Sequence, residues 1–249
     1  MSKKLPDPNF HRKNGLSLPL DPLQVMTWFI AASPLISFFA IQFPFLPRTQ
    51  TYFWIVIFFV CYIAGIVLFV IATFCEHRLP PPSSPDHVYF CRYCKEGVPL
   101  SAKHCRMCNK CRCGFDHHCR FINNCVTSSN YLVFFIGCLF LVSTSLIGIA
   151  HLIVSALEFK NHQQIVLDRQ TDYYHRKTSK TTFWIVFSVS LLLYLIILTP
   201  MMTLVIYHMY FQRMNISTYD HIIRNYVKYP QKLQSFWCSP AVNHKITTA

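Results

Sequence analysis

One cysteine-rich stretch decides how this chain is built. It runs Cys91-Arg92-Tyr93-Cys94, then His104-Cys105-Arg106-Met107-Cys108-Asn109-Lys110-Cys111, then Asp116-His117-His118-Cys119 and finally Cys125. Paired Cys-x-x-Cys segments followed by further Cys and His are what tetrahedral zinc requires, because Zn²⁺ takes four thiolate or imidazole ligands held by tight turns. Eight of the twelve cysteines fall in this stretch, so a loop without metal is a poor alternative.

The number of candidate ligands exceeds the need of two zinc sites. Two sites of three Cys and one His use six Cys and two His, whereas the stretch holds eight Cys and three His. At least one thiol is therefore free to react. The tetrad Asp116-His117-His118-Cys119 combines a thiol with a histidine that can act as its base and an acid that can orient that histidine. The spacing alone does not say which ligands share a zinc ion.

On both sides of the stretch the chain is apolar and poor in charge. Its 249 residues are 53% hydrophobic and 13% charged, whereas soluble domains carry about a quarter charged residues. Four stretches without Asp, Glu, Lys or Arg exceed the roughly 20 residues that an α-helix needs to cross a bilayer. We predict membrane spans at 23–45, 51–74, 131–157 and 183–211.

The predicted fold class is an all-α polytopic membrane protein with four transmembrane helices. A cytosolic Cys-rich domain with two zinc ions, 75–130, lies between helices 2 and 3, and the other segments are an N-terminal arm 1–22, a lumenal loop 158–182 and a C-terminal tail 212–249. A cleavable signal peptide is the alternative for the first span, but that stretch is too long and too aromatic. Pro34 and Pro200 fall inside spans, where neighbouring helices can cover the freed carbonyls.

The distribution of Lys and Arg predicts the orientation. The N-terminal arm has four, the Cys-rich loop eight and the tail five, which makes seventeen, against one and five in the other two loops. Positive charge stays on the cytosolic side, so both termini and the Cys-rich loop are predicted to be cytosolic. Thiols are reduced there, which favours metal binding or catalysis over disulfides. The net charge of +13 suits an anionic bilayer surface.

From Cys91 to Phe134 the chain resembles the DHHC family of protein S-acyltransferases in its Cys and His spacing and in Asn130. The position of this stretch between the second and third of four spans is also similar to that family. The resemblance implies two closed structural zinc sites, whose ligands are Cys91, Cys94, His104 and Cys111 in one and Cys105, Cys108, His118 and Cys125 in the other. It also implies that Cys119 is the nucleophile, His117 its base and Asp116 the acid that orients His117. Cys113 is left over as a spare thiol that could itself be acylated, and the alternative, a packing role, explains it more simply.

The activity implied by the resemblance is transfer of a long-chain acyl group, palmitoyl, from acyl-coenzyme A to protein cysteine through an acyl-enzyme on Cys119. The implied partners are acyl-coenzyme A, the lipid bilayer and membrane-associated proteins with cytosolic cysteines. We expect an endomembrane, the endoplasmic reticulum or the Golgi, in preference to the plasma membrane. Nucleic-acid binding is excluded because nothing presents a recognition helix at finger spacing. The alternative is a zinc-bearing membrane adaptor of the same fold with weak turnover.

Two further residues are candidates for contacts to the acyl donor. Arg120 follows the nucleophile and can meet the phosphates of coenzyme A. The alternative for the cations of the loop is charge balance, because six thiolates and two zinc ions together carry a charge of −2. Thr144 lies among small polar residues in the third span, where an acyl chain can end. The alternative for Thr144 is close helix packing.

The chain departs from the family pattern at three places. Arg120-Phe121 replaces the usual Pro-Trp, and Ser101 replaces a basic residue. After the fourth span, Ser217-Thr218-Tyr219-Asp220 stands for Thr-Thr-x-Glu and keeps a predicted link between the tail and the active site. The tail beyond it is short, which is the feature that favours the adaptor.

Overall fold

The computed structural model describes residues 10–75 and 88–228. Parts of the predicted arm, Cys-rich domain and tail, at 1–9, 76–87 and 229–249, lie outside the described residues. The chain divides into two compact units. The first comprises Met1–Asp21, Ile71–Leu132 and His208–Ala249, and the second Pro22–Val70 and Val133–Tyr207.

Four helices of the described part are long and apolar enough to cross a membrane, the number that the sequence predicts. They are Pro22–Phe45, α2 (Arg48–Phe74), α3 (Tyr131–Asn161) and α5 (Lys180–Arg213). The first consists of α1 (Pro22–Ile36), a π-helical segment Ser37–Gln42 and a 3₁₀ turn Phe43–Phe45. The predicted loop 158–182 contains a further helix, α4 (Gln163–Tyr174), and α6 (Thr218–Lys228) follows α5.

The proline in α1 is accommodated locally. Pro34 has no N–H, so the carbonyl of Ile30, four residues earlier, loses its helical donor. The hydroxyl of Ser33 donates to that carbonyl at 2.8 Å. A polar side chain of the same helix therefore satisfies the carbonyl that the sequence analysis assigned to neighbouring helices.

The second unit has an aromatic core with a small polar network inside it. Tyr194 is fully buried, and its ring lies so close to Gly148 that a Cβ atom there would be 2.2 Å from the ring. The side-chain amide of Gln42 donates to the hydroxyl groups of Ser37 at 2.8 Å and of Tyr194 at 3.0 Å. Glycine thus admits the ring, and the amide satisfies hydroxyls that have no access to water.

The described part of the Cys-rich segment, 88–130, is not helical, so the all-α prediction is wrong for this part of the chain. It forms three antiparallel hairpins. The strands are β1 (Val88–Cys91) and β2 (Glu96–Pro99), β3 (Ala102–Cys105) and β4 (Lys110–Cys113), and β5 (Phe115–Cys119) and β6 (Asn124–Thr127). Short strands joined by tight turns bring several ligands to one point, as a tetrahedral metal site requires.

The three hairpins repeat one pattern every 14 residues. Cys91, Cys105 and Cys119 each end the first strand of a hairpin at this spacing, and each is followed by Arg. The turn residues Lys95, Asn109 and Asn123 recur at the same interval with positive φ of 56°, 50° and 51°. Asn tolerates this left-handed conformation better than most residues, which suits two of the three turns.

Residues before the first span pack on the turn of the second hairpin, and the third hairpin is bound to the end of α2. The buried Arg12 donates its backbone N–H to the carbonyl of Cys108 at 3.0 Å, and the amide of Asn109 donates to the carbonyl of Phe10 at 2.8 Å. Asn124, in the third hairpin, donates to the carbonyls of Ala72, Thr73 and Cys75 at the end of α2, at 2.9–3.2 Å. These bonds satisfy carbonyls that a helix end leaves without donors.

Candidate active site and metal centres

The first group of metal-ligand side chains joins the first two hairpins. Cys91 and Cys94 come from the turn of the first hairpin, while His104 and Cys111 face each other across β3 and β4. The Nδ1 atom of His104 lies 3.3–3.7 Å from the three sulfur atoms, and the sulfur atoms of Cys94 and Cys111 are 3.6 Å apart. Zinc bond lengths on a tetrahedron require about 3.6 Å between nitrogen and sulfur and about 3.8 Å between sulfurs.

The second group repeats this arrangement one hairpin later. Cys105 and Cys108 come from the second turn, and His118 faces Cys125 across β5 and β6. The Nδ1 atom of His118 is 3.3–3.9 Å from the three sulfur atoms, and the sulfur atoms of Cys108 and Cys125 are 3.4 Å apart. Both groups therefore fit a tetrahedral metal ion by donor type and by distance, and both match the ligand sets implied by the family resemblance.

One of the loop cations is buried beside the cysteines. Arg112 is 2% exposed, and its positive charge acts on the thiols of Cys125 and Cys75. A buried cation at this place lowers the cost of collecting several thiolates in a small volume. The structure thus favours the charge-balancing explanation for Arg112, which leaves the more exposed loop cations for other partners.

Cys119 belongs to neither metal-ligand group among the described residues. It occupies the place in the third turn that Cys91 and Cys105 hold in the first two, but Ile122 stands where those turns have their second Cys. The 14-residue interval would place the remaining two ligands at 132 and 139, and both positions are Leu. Cys119 is thus a turn cysteine without a complete ligand set, which explains how the fold leaves this thiol free.

The residues just before Cys119 form an acid and base pair. The Nδ1 atom of His117 is 2.7 Å from a carboxylate oxygen of Asp116, and both side chains are largely buried. Burial alone would lower the pKa of His117, but its hydrogen bonds to Asp116 and to the Cys119 thiol outweigh burial and raise the pKa to about 9. His117 therefore holds firmly any proton that it takes from the thiol.

The other oxygen of Asp116 is bound by the segment after the fourth span. The backbone N–H of Thr218, the first residue of α6, donates to it at 2.9 Å. Burial would raise the pKa of Asp116, but the bonds from His117 and Thr218 lower the pKa below its ordinary value. Ser217 and Asp220 form a capping box, in which the hydroxyl of Ser217 accepts from the N–H of Asp220 at 3.0 Å. The predicted link to the tail is thus made through a backbone group.

Arg120 has a partner that the sequence analysis missed. Its guanidinium binds the buried carboxylate of Asp21 through two nitrogens, at 2.8 and 3.2 Å, while about half of the side chain stays exposed. Contact with the phosphates of acyl-coenzyme A stays a prediction. Any such contact has to be made from a guanidinium that is already anchored to Asp21.

The residue predicted to meet the end of the acyl chain is buried in its helix. Thr144 is 1% exposed, and its hydroxyl donates to the carbonyl of Phe140 at 2.8 Å. Ser143 and Ser145 make the equivalent bonds to residues four positions earlier. Hydroxyls satisfied in this way suit a packing role, and a role in chain-length selection stays a prediction.

The sequence analysis also missed His208 and Tyr131. His208 lies near the end of the predicted fourth span, and its ring centroid is 5.4 Å from that of His117. The hydroxyl of Tyr131, at the start of α3, is 2.8 Å from Nδ1 of His208. A histidine close to the C-terminal end of a predicted span is the one signal that could have indicated this contact.

Comparison with known proteins gives a family match, and its relatives include two human proteins. Residues 84–225, more than half of the chain, match the DHHC palmitoyltransferase family. The human palmitoyltransferase ZDHHC11 is 30% identical over an alignment of 270 residues, which covers 94% of this chain and 65% of the relative. The human probable palmitoyltransferase ZDHHC11B is 29% identical over 270 residues, with 94% of this chain and 72% of the relative covered. The chain thus spans slightly less than two thirds of the length of ZDHHC11.

Proposed function

The chain belongs to the DHHC family of palmitoyltransferases, and from this membership we propose that it is a protein S-acyltransferase that moves palmitoyl from acyl-coenzyme A to protein cysteine. The names of both human relatives support the activity. Because the chain covers only part of ZDHHC11, the substrates of that protein are not transferred to it. The membrane-length helices support a reaction at a bilayer.

The placement of Cys119 carries the proposal. Its thiol lies in a turn that lacks the second cysteine, outside both metal-ligand groups and in contact with His117. His117 in turn is held by Asp116, whose second oxygen is bound to α6. A free thiol, a base in contact with it and an acid that orients the base are the parts that nucleophilic acyl transfer requires.

The reaction has two balanced steps. His117 takes the proton of Cys119, the thiolate attacks the carbonyl carbon of the acyl thioester, and the coenzyme A thiolate leaves with the proton from His117. In the second step a substrate thiol loses its proton to His117 and attacks the carbonyl carbon of the acylated Cys119, whose thiolate leaves and takes that proton back from His117. Each step exchanges one thioester for another, so no further energy source is required.

We propose that each of the two Cys3His groups holds one structural zinc ion. One ion would be held by the group that includes residues of the third hairpin, namely Cys105, Cys108, His118 and Cys125. The other ion would be held by Cys91, Cys94, His104 and Cys111 of the first two hairpins. Zinc in a closed site supplies folding free energy rather than a reactive position. Because His118 and Cys125 flank Cys119 in the third hairpin, ligation there would fix the position of the nucleophile.

The membrane supplies the remaining requirements of the proposed reaction. Burial of an acyl chain contributes about 0.8 kcal/mol per methylene, so the chain requires an apolar enclosure that membrane-spanning helices can offer. The excess of Lys and Arg in the arm, the Cys-rich loop and the tail supports a cytosolic location for the site. Substrates would then be membrane-associated proteins with cytosolic cysteines.

Labelled palmitoyl-coenzyme A tests the proposal directly. We expect the purified protein to acquire a label that hydroxylamine removes, and Cys119→Ser to abolish it with zinc content unchanged. Cys113→Ser is the matched control, because Cys113 lies in the same segment outside both ligand groups, and it should keep the label. A full label on the Cys119→Ser protein would refute the assignment of the nucleophile. An unlabelled but zinc-loaded wild type would favour the adaptor.

A further inference from the structure

A buried histidine next to the active site takes no part in the chemistry described so far. His208 lies in the last two turns of α5 and is 4% exposed. Its ring plane is inclined by 39° to that of His117. One nitrogen of each ring and one carboxylate oxygen of Asp116 all lie within 4.8 Å of one another. His208 is therefore close enough to restrict the motion of the acid and base pair.

His208 is itself fixed by a second residue. The hydroxyl of Tyr131 forms a hydrogen bond of 2.8 Å with Nδ1 of His208, and the two rings meet edge to face at 5.4 Å. The ring of Phe211, three residues later in α5, also lies 6.3 Å from that of His208, nearly at a right angle. A ring bonded at one nitrogen and packed against two aromatic rings keeps a single orientation.

We propose that His208 is a positioning residue for the acyl transfer and that Tyr131 holds it in place. The hydrogen bonds of His117 to Asp116 and to the Cys119 thiol hold the imidazole at two points but leave the ring able to turn about the line between them. The face of His208 limits this rotation, so that His117 keeps its contact with the Cys119 thiol. The inference rests on the proposed function, because it assigns a role in that reaction.

The expected effect follows from how strongly catalysis depends on geometry. A displacement of about 1 Å can slow an enzymatic step by about 100-fold. We therefore expect His208→Ala to slow autoacylation by roughly 10- to 100-fold at saturating donor, with an unchanged KM for palmitoyl-coenzyme A. Tyr131→Phe keeps the ring and removes the hydroxyl, so it should have a smaller effect in the same direction.

A double-mutant cycle tests whether His208 acts through His117. In the His117→Ala background, His208→Ala should cause no further loss of rate, because the group that it positions is absent. His151→Ala is the matched control, since His151 is a fully buried histidine of α3 in the other unit, and it should leave the rate unchanged. An equal loss from His208→Ala in both backgrounds, or no loss in the wild type, would overturn the proposal.

A second readout separates this inference from the proposed function. The alkylation rate of Cys119 by iodoacetamide depends on His117 but requires no acyl transfer, and the same cycle can be run with it. If the wild type takes no palmitoyl label, the proposed function fails, and the alkylation cycle still decides whether His208 positions His117. If the label forms and neither cycle shows coupling, the proposed function stands and the role of His208 is refuted.

Discussion

Thr218→Pro tests the link between the tail and the active site, because it removes the backbone N–H that binds Asp116, together with a hydroxyl whose loss a second variant controls for. Thr218 is the first residue of α6, and its N–H donates to Asp116. Proline has no N–H, yet it is well tolerated at the first helical position, where its fixed φ suits the helix. The capping box made by Ser217 and Asp220 does not involve the N–H of Thr218. The helix should therefore persist while Asp116 loses a donor.

The magnitude follows from the charge and burial of the acceptor. A hydrogen bond to a charged group contributes about 1.5–3 kcal/mol, and leaving a buried charged oxygen without its donor is costly. At about 1.4 kcal/mol for each tenfold change in rate, the full loss corresponds to about 10- to 150-fold. Asp116 keeps its bond to His117 and is 7% exposed, so the carboxylate can only partly reorient. We expect a loss of about tenfold.

The assay is single-turnover autoacylation with labelled palmitoyl-coenzyme A, run beside zinc content and thermal midpoint in detergent. Thr218→Ala is the matched control, because it keeps the N–H and removes the hydroxyl, which also faces Asp116. The proline variant should be clearly slower than the alanine variant at equal zinc content. Equal rates for the two variants would mean that the N–H contributes nothing, and a wild-type rate for Thr218→Pro would remove the tail from the mechanism.

Two other predictions concern the metal groups and the acyl chain. His117→Ala should slow acylation and retain zinc, whereas His118→Ala should lose metal and folding together, because zinc binding to its ligands is folding free energy. Metal analysis and circular dichroism distinguish the two variants. Identical behaviour of the two variants would contradict the division of roles between His117 and His118. If Thr144 lies at the end of the acyl chain, Thr144→Phe should shift the donor preference toward shorter acyl chains. Autoacylation across donors of graded length checks this, with Ser143→Phe as the control on the same helix, and an unchanged profile would leave Thr144 a packing residue.

The spans could be predicted from sequence because hydropathy over about 20 residues is a local property. The helices nevertheless extend past the predicted ends, for example from 183 back to Lys180 and from 157 on to Asn161. Charged residues at such ends can keep helical backbone while their charged groups reach toward water, so a count of uncharged residues underestimates the helix. The family membership predicted from the Cys-rich motif is confirmed by the match over residues 84–225.

The family resemblance implies the metal-ligand groups, which the spacing alone leaves open, and the hairpins that carry them could also have been predicted. Cys105 and Cys119 repeat the position of Cys91 at 14-residue intervals, and a repeat of that length suits a two-stranded hairpin with its turn. The absence of a second cysteine at Ile122 then distinguishes the third turn from the first two. Zinc occupancy and the roles of the active-site residues stay predictions.

The individual pairs of atoms around the active site could not be predicted, because their partners are far apart in sequence, although the family resemblance implies a link between the tail and the active site. Arg120 and Asp21 are 99 residues apart, and Tyr131 and His208 are 77 apart. The bond from Thr218 to Asp116 uses a backbone N–H, a group that every residue except proline carries. No local pattern marks such pairs, so they appear only when the fold brings the segments together.

The second hairpin serves both metal-ligand groups, and this sharing has a consequence for zinc supply. Its strands give His104 and Cys111 to one group, while Cys105 and Cys108 belong to the other. The first ion to bind would order that hairpin and thereby prepare half the ligands of the second ion, so loading should be cooperative. In a zinc-starved cell the population should then divide into fully loaded and empty chains. Scarcity would reduce the number of competent enzymes rather than the rate of each one.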